Sequence, residues 1–188
     1  MKKALLLLSI LFLSVVSTAC INNLAVQELN TKAKQYMEQG DYQAAIARLK
    51  SSIDLDDTIF ETHYNLAVAY TEAEDYINAI ESYQHAIEIN ADMADVYYSL
   101  AVAQSNLALD LSKGIVRVDE EGNLYTPTKE QTDNETKEYK PDAKAMEMIN
   151  SLNSEAINNF NIYLNKAPNS QDYEEVSNKI KELQAEKK

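Results

Sequence analysis

Two histidines and one cysteine are the residues best suited to acid–base, nucleophilic or metal chemistry in this chain of 188 residues. A general acid or base needs a partner held within hydrogen-bond reach, and a nucleophile needs a base beside it. His63 and His85 each fall inside a helical pattern, and neither has a carboxylate and nucleophile arranged around it by spacing. Both read as structural or surface histidines. The acidic run Asp54-Leu55-Asp56-Asp57 has the composition of a calcium loop, but Ile59 stands where such a loop needs a glycine for its sharp turn, and no Glu follows at the twelfth position. It reads better as a polar turn. Asn134-Glu135-Thr136 fits a glycosylation acceptor, a pattern short enough to arise by chance. The sequence therefore points away from an enzyme, with no metal and no cofactor expected.

The cysteine has a different context. It ends the stretch MKKALLLLSILFLSVVSTAC, in which Lys2 and Lys3 give a charged start and Ala4 to Val16 an apolar run too short for a comfortable membrane span. Ser17-Thr18-Ala19 then supplies small residues for a peptidase, so residues 1–19 read as an export signal and residues 20–25 as a short tether. A lone cysteine directly after such a site resembles the lipobox of bacterial lipoproteins, with Thr18 and Ala19 in agreement and Ser17 where the family usually has Leu. The resemblance implies that Cys20 receives lipid and tethers the chain to a membrane of the cell envelope. In an organism with two membranes, Ile21 in place of Asp resembles the sequence that allows sorting to the outer membrane, facing the periplasm. Ordinary signal-peptidase cleavage is the alternative. It would leave an odd thiol without an internal partner in an oxidising compartment.

The formal charge is −13, and removing the leader, with its two lysines and no acids, takes it to −15. So acidic a chain lacks the basic face through which nucleic acid or anionic head groups are bound, and no nucleic-acid partner is expected. No disulfide can form within the chain, so stability has to come from a packed core. With only 3 Gly and 3 Pro and abundant Ala, Glu, Lys, Leu and Gln, the composition favours helices throughout.

Those helices repeat. The stretches GDYQAAIARLKSSIDLD from Gly40 and EDYINAIESYQHAIEIN from Glu74 lie 34 residues apart. At that offset Ala33 aligns with Ala67, Tyr36 with Tyr70, Asp41 with Asp75, Tyr42 with Tyr76, Ala45 with Ala79, Ile46 with Ile80 and Ile53 with Ile87. Each unit holds two apolar periodicities of helical spacing divided by a turn, at Gln39-Gly40-Asp41 in the first. Each unit is thus a helical hairpin whose small residues let its two helices approach closely. Ala79 is expected to be nearly inaccessible, and Ala103 to face a less crowded side of its helix.

A third unit starts at Tyr97, Leu100 and Ala101 and resumes only at Ala156-Ile157, which stand 77 residues after Ala79-Ile80 instead of 34, leaving 43 extra residues between. Leu107, Ala108 and Leu111 prolong its first helix. Pro141 suits the first turn of the returning one, where Met146, Ile149 and Leu152 carry a stripe into Ala156. At the tip, Ile115-Val116-Arg117-Val118 and Leu124-Tyr125-Thr126 flank a Gly-containing turn, the composition of a short β-hairpin. Lys129 to Lys140 reads as a polar loop. After Pro168, Tyr173, Val176, Ile180 and Leu183 form one stripe on a charged helix suited to cap a repeat stack.

The period and the residue types at these positions resemble the tetratricopeptide repeat. That resemblance implies an all-α superhelix over residues 26–188, with three hairpins (26–57, 60–91 and 94–168), an insertion over 113–141 and a capping helix over 170–186. It implies binding, since in the family the first helices line a concave groove that holds partner peptides or helices. Projection of first-helix positions not used in packing points to Asn30, Lys34, Met37, Tyr64, Asn65, Val68, Tyr98 and Val102. Tyr64 and Tyr98 are expected to grip a partner without contributing to the fold. The family's carboxylate clamp is not carried over, because Asp95 and Ser99 stand where it has cations; an apolar or basic segment suits the groove better. The function expected is a non-catalytic, membrane-anchored scaffold that binds a protein or peptide partner in the bacterial cell envelope. The alternative is a solute- or lipid-binding accessory of an envelope transporter.

Overall fold

The computed structural model describes residues 23–133 and 139–186; residues 1–19, expected to be an export signal, Cys20 and Asn134-Glu135-Thr136 lie outside them. Helix α1 runs over residues 23–38. It is followed by α2 (Tyr42–Leu55), α3 (Phe60–Glu72), α4 (Tyr76–Ile89), α5 (Ala94–Lys113), strands β1 (Arg117–Val118) and β2 (Leu124–Tyr125), α6 (Lys129–Asp133), α7 (Ala143–Lys166) and α8 (Tyr173–Glu186).

The 34-residue period returns as repeated local chemistry. Helix α1 ends in a turn with Gly40 at φ 75°, and the Asp41 N–H reaches back to the Tyr36 carbonyl at 2.9 Å. One period later Glu74 adopts φ 58° and the Asp75 N–H reaches the Tyr70 carbonyl at 2.9 Å. Both closures leave an aspartate at the start of the next helix, where its carboxylate accepts an otherwise unpaired N–H: Asp41 from Ala44 at 3.0 Å and Asp75 from Asn78 at 3.3 Å. In the third unit the place of Gly40 and Glu74 falls on Ala108, inside a helix. Helix α5 therefore runs on to Gly114, where the same closure appears at φ 73° with the Ile115 N–H on the Asp110 carbonyl at 2.9 Å.

The junctions between units repeat too. Asp56 accepts from the Thr58 N–H at 3.0 Å, and Asn90, in the same place, accepts from the Asp92 N–H at 3.0 Å. His63 Nε2 lies 2.8 Å from the Asp57 carbonyl, and one period later the Tyr97 hydroxyl donates to the Ala91 carbonyl at 3.2 Å. The acidic run is thus a turn device, and His63 holds the turn before it.

One hydrophobic cluster runs from Ala33 through Leu49, Tyr83 and Phe160 to Leu183. Ala79 is fully buried, and so is Ala103, contrary to its expected place on a less crowded side. The reason is stacking: the position is exposed as Gln35 in α1, which follows no hairpin among the described residues, and buried as Ala69 and Ala103 in helices that follow one.

The third hairpin is taller, with α5 of 20 and α7 of 24 residues against 13 and 14 in the second. Its tip carries the expected antiparallel hairpin, shorter than read from sequence, with Arg117 opposite Tyr125 and Val118 opposite Leu124. Four local readings change. Asp142, not Pro141, begins α7, accepting from the Ala145 N–H at 2.8 Å. Ala145 takes the buried place expected of Met146, which is exposed, and Tyr173 is likewise exposed while Val176, Ile180 and Leu183 are buried. Part of the expected polar loop is helix α6, and its far end packs: the Tyr139 ring lies against Gly114 and under the Arg117 guanidinium, 4.7 Å from the ring centroid.

Candidate partner-binding groove

The first-helix positions group into two registers, each spaced by the repeat. In the first, Asn30, Tyr64 and Tyr98 recur at 34-residue intervals, and all three are tied into the fold. The Asn30 amide donates to Ser52 Oγ at 2.8 Å and to Thr62 Oγ1 at 3.1 Å, satisfying two fully buried hydroxyls between α1, α2 and α3. The Tyr64 ring stacks on Phe60 at 5.8 Å and meets Tyr83 edge-on at 5.9 Å. The Tyr98 ring meets Phe160 edge-on at 5.8 Å and Tyr163 at 5.3 Å. Tyr83 and Phe160 are themselves equivalent once the 43 inserted residues are removed. The tyrosines are therefore joints between first and second helices, and the expectation that packing does not need them is corrected. Sequence spacing located them on the right face but could not show that a half-buried ring lies across its own hairpin.

The second register is Lys34, Val68 and Val102. Lys34 is exposed and the two valines are half-buried, as are Met37 and Asn65. From α1 to α5 this face passes from a cation to aliphatic surface. It ends in a cleft of about 420 Å³ between α5 and the cap α8, with Tyr98, Val102, Phe160 and Val176 as its apolar lining and Glu175, Lys179 and Glu182 along the α8 side. Burial, then the negative charges of Glu175 and Asp172, push the Tyr98 hydroxyl above its ordinary value. It stays protonated at neutral pH and can donate a hydrogen bond. The α8 side of this cleft is the part that the first-helix projection missed; the signal for it was the stripe from Val176 to Leu183, read only as a cap.

The arrangement can bury an apolar side chain and favours a cation over an anion beside it. Among the described residues no group of three or more His, Cys, Asp or Glu is placed to hold a metal, and no helix is long and apolar enough to cross a membrane. The rings of His63 and His85 lie 5.7 Å apart; His63 is held at the Asp57 carbonyl and exposed His85 pairs with Glu88 at 3.2 Å.

Comparison with known proteins agrees with the repeat. A model described as TPR repeat matches residues 33–73, and one described as Tetratricopeptide repeat matches residues 60–93. Solved structures share the fold at low identity. The first TPR domain of human RPAP3 is 18% identical with a TM-score of 0.59, covering 87% of this chain and 94% of that one. The second TPR domain of the same human protein, in complex with the HSP70 peptide SGPTIEEVD, is 15% identical with a TM-score of 0.59, covering 85% and 98%. The TPR2B domain of yeast Sti1, in a complex with pHsp70, is 13% identical with a TM-score of 0.58, covering 87% and 98%. No curated protein gives a significant match. Residues 33–93 are thus similar to tetratricopeptide repeats, and the described chain folds as an all-α superhelix of the tetratricopeptide type, three hairpins closed by a capping helix.

Proposed function

We propose that this chain is a non-catalytic scaffold that holds a segment of another protein on its first-helix face and is tethered by lipid on Cys20 to a membrane of a bacterial cell envelope. The observation that carries the binding role is the Lys34, Val68, Val102 register leading into the cleft between α5 and α8. Half-buried aliphatic groups on a face that could have been fully polar mark an interaction surface. Structural neighbours in complex with HSP70 peptides support peptide binding as a use of this fold. The ligand chemistry is not carried over, because the peptide held by RPAP3 ends in EEVD, whereas Glu175 and Glu182 line the cleft here and Asp95 stands where the clamp has a cation. A partner segment with apolar side chains and basic neighbours fits instead. A solute or lipid site would call for an enclosed cavity, and this cleft is rimmed by exposed Glu175, Lys179 and Glu182. Anchoring is supported by the leader and the lone Cys20.

One experiment tests both halves. A photocrosslinking side chain at Lys34 captures the partner from membranes. Val102→Glu, which sets a charge in the cleft, is expected to abolish capture in a protein that circular dichroism shows still folded at the assay temperature. Cys20→Ala is expected to move the protein from the membrane pellet to the soluble fraction. Undiminished capture by Val102→Glu would rule out the groove, and a Cys20→Ala protein that still pellets after a high-salt wash would rule out the tether.

A further inference from the structure

The taller third hairpin builds a second core that the repeat does not require. Leu107, Ala108, Leu111, Val116 and Leu152 are buried together at its tip. Beside them the β-hairpin stands off α4 and α7, leaving a cleft of about 590 Å³ walled by Ile77, Ile80, Leu107, Val118, Leu124 and Leu152. A hairpin that served only to seal this small core would close over it. Instead Ile77, Ile80, Val118 and Leu124 are each only half-buried around one cleft, a continuous apolar surface of the kind that marks a binding site. The rim is acidic. Glu121 of the hairpin and Glu147 and Glu155 of α7 line it together with one cation, Lys144, whose ammonium donates to the Glu120 carbonyl and so ties the first turn of α7 to the hairpin tip. Glu155 also accepts from the buried Gln104 amide at 2.9 Å.

We propose that this cleft is a second docking site, separate from the first-helix face, and that its occupant is a basic peptide segment carrying aliphatic or aromatic side chains. The volume is within the range of ligand sites and exceeds that of one side chain. The apolar walls reward burial of those side chains, and three carboxylates against one ammonium attract Lys or Arg beside them while repelling an acidic peptide or the head group of a fatty acid. Because the cleft is built from the insertion and α4, it works whether or not the first-helix face is occupied.

The test uses the purified protein and a fluorescein-labelled peptide LKKLLKLLKKLLKL, with its counterpart in which Glu replaces each Lys. Saturable binding of the Lys peptide and none of the Glu peptide is expected. Because the first-helix face also suits an apolar, basic segment, the variants are compared in protein carrying Val102→Glu. There the pair Glu121→Lys with Glu147→Lys, both exposed, should weaken binding about tenfold or more, as should Leu124→Ser, while Glu175→Lys with Glu182→Lys on α8 should change it less than about threefold. Methyl NMR gives a readout without variants: the Ile77 and Leu124 resonances should move on titration. The proposal is overturned if the α8 pair weakens binding as much as the cleft pair, or if only Val68 and Val102 shift. Absence of saturable binding overturns it too, as does decanoate displacing the peptide with an affinity that the charge reversal leaves unchanged.

Discussion

At Glu74 the backbone takes φ 58°, the left-handed conformation that Gly40 holds at φ 75° one repeat earlier. A side chain with Cβ is strained there by roughly 1 kcal/mol, whereas glycine is not. Glu74→Gly should therefore raise stability by up to about 1 kcal/mol, reduced by the extra freedom glycine gains in the unfolded chain. Gly40→Ala should lower it by about 1 kcal/mol for the conformational reason alone, since a Cβ at Gly40 would meet nothing within 4 Å. Urea melts of the two variants check both signs. If Glu74→Gly destabilised the protein, the contacts of the glutamate side chain would outweigh the strain of its backbone. Gly114 differs, because a Cβ there would lie 2.5 Å from the Tyr139 ring, so steric conflict adds to strain.

The elements are held apart by small residues, and these test the stacking. Ala79 lies at the crossing of α3 and α4, and Ala103 on α5 between neighbouring hairpins; both are fully buried. Leucine at either site should overpack the crossing and cost about 1–3 kcal/mol. Equal losses are expected because a helix inside a stack has covered faces on both sides, which a single helix projection cannot represent. Thermal melts in which Ala103→Leu is silent would mean that the neighbouring helices yield there. The same reasoning applies to Tyr64 and Tyr98, whose truncation should lower the melting temperature because each ring lies against the facing helix of its hairpin.

For the whole molecule, the stack is closed by α8, whose apolar stripe packs in the common core, and a hydrogen bond holds the residue just before α8 to α7. The Tyr163 hydroxyl donates to both oxygens of Asp172, at 2.8 and 3.0 Å. Burial pushes the Asp172 carboxyl up, but the Tyr163 hydroxyl bond draws it down, and the net position is below the ordinary value. A carboxyl with a lowered folded-state value contributes stability above its ordinary value and loses it as pH falls through the lowered one. Tyr163→Phe should thus lower the melting midpoint at neutral pH, and the gap from the parent protein should close in the acid range. A gap of constant size at every pH would assign the loss to packing and not to the charge.

The repeat was legible in the sequence because its signals are local. A turn residue, an aspartate five residues after the last tyrosine of one helix, and an alanine at each crossing recur at 34 residues, and each acts within a few residues of itself. Helix length in the third unit could be read the same way, from apolar spacing at Leu107 and Leu111. What only the tertiary structure decided depends on residues far apart in the chain. Asn30 looked like a groove residue until Ser52 and Thr62 were brought to it as buried hydroxyls in need of a partner. Ala103 looked uncrowded until a preceding hairpin covered it. The acid-rimmed cleft exists because Ile77 and Ile80 of α4 meet Leu124 of the insertion and Leu152 of α7. Helical and turn propensities act between near neighbours, whereas burial is a property of whatever surface the stack brings opposite, and that surface is fixed only when the hairpins close on one another.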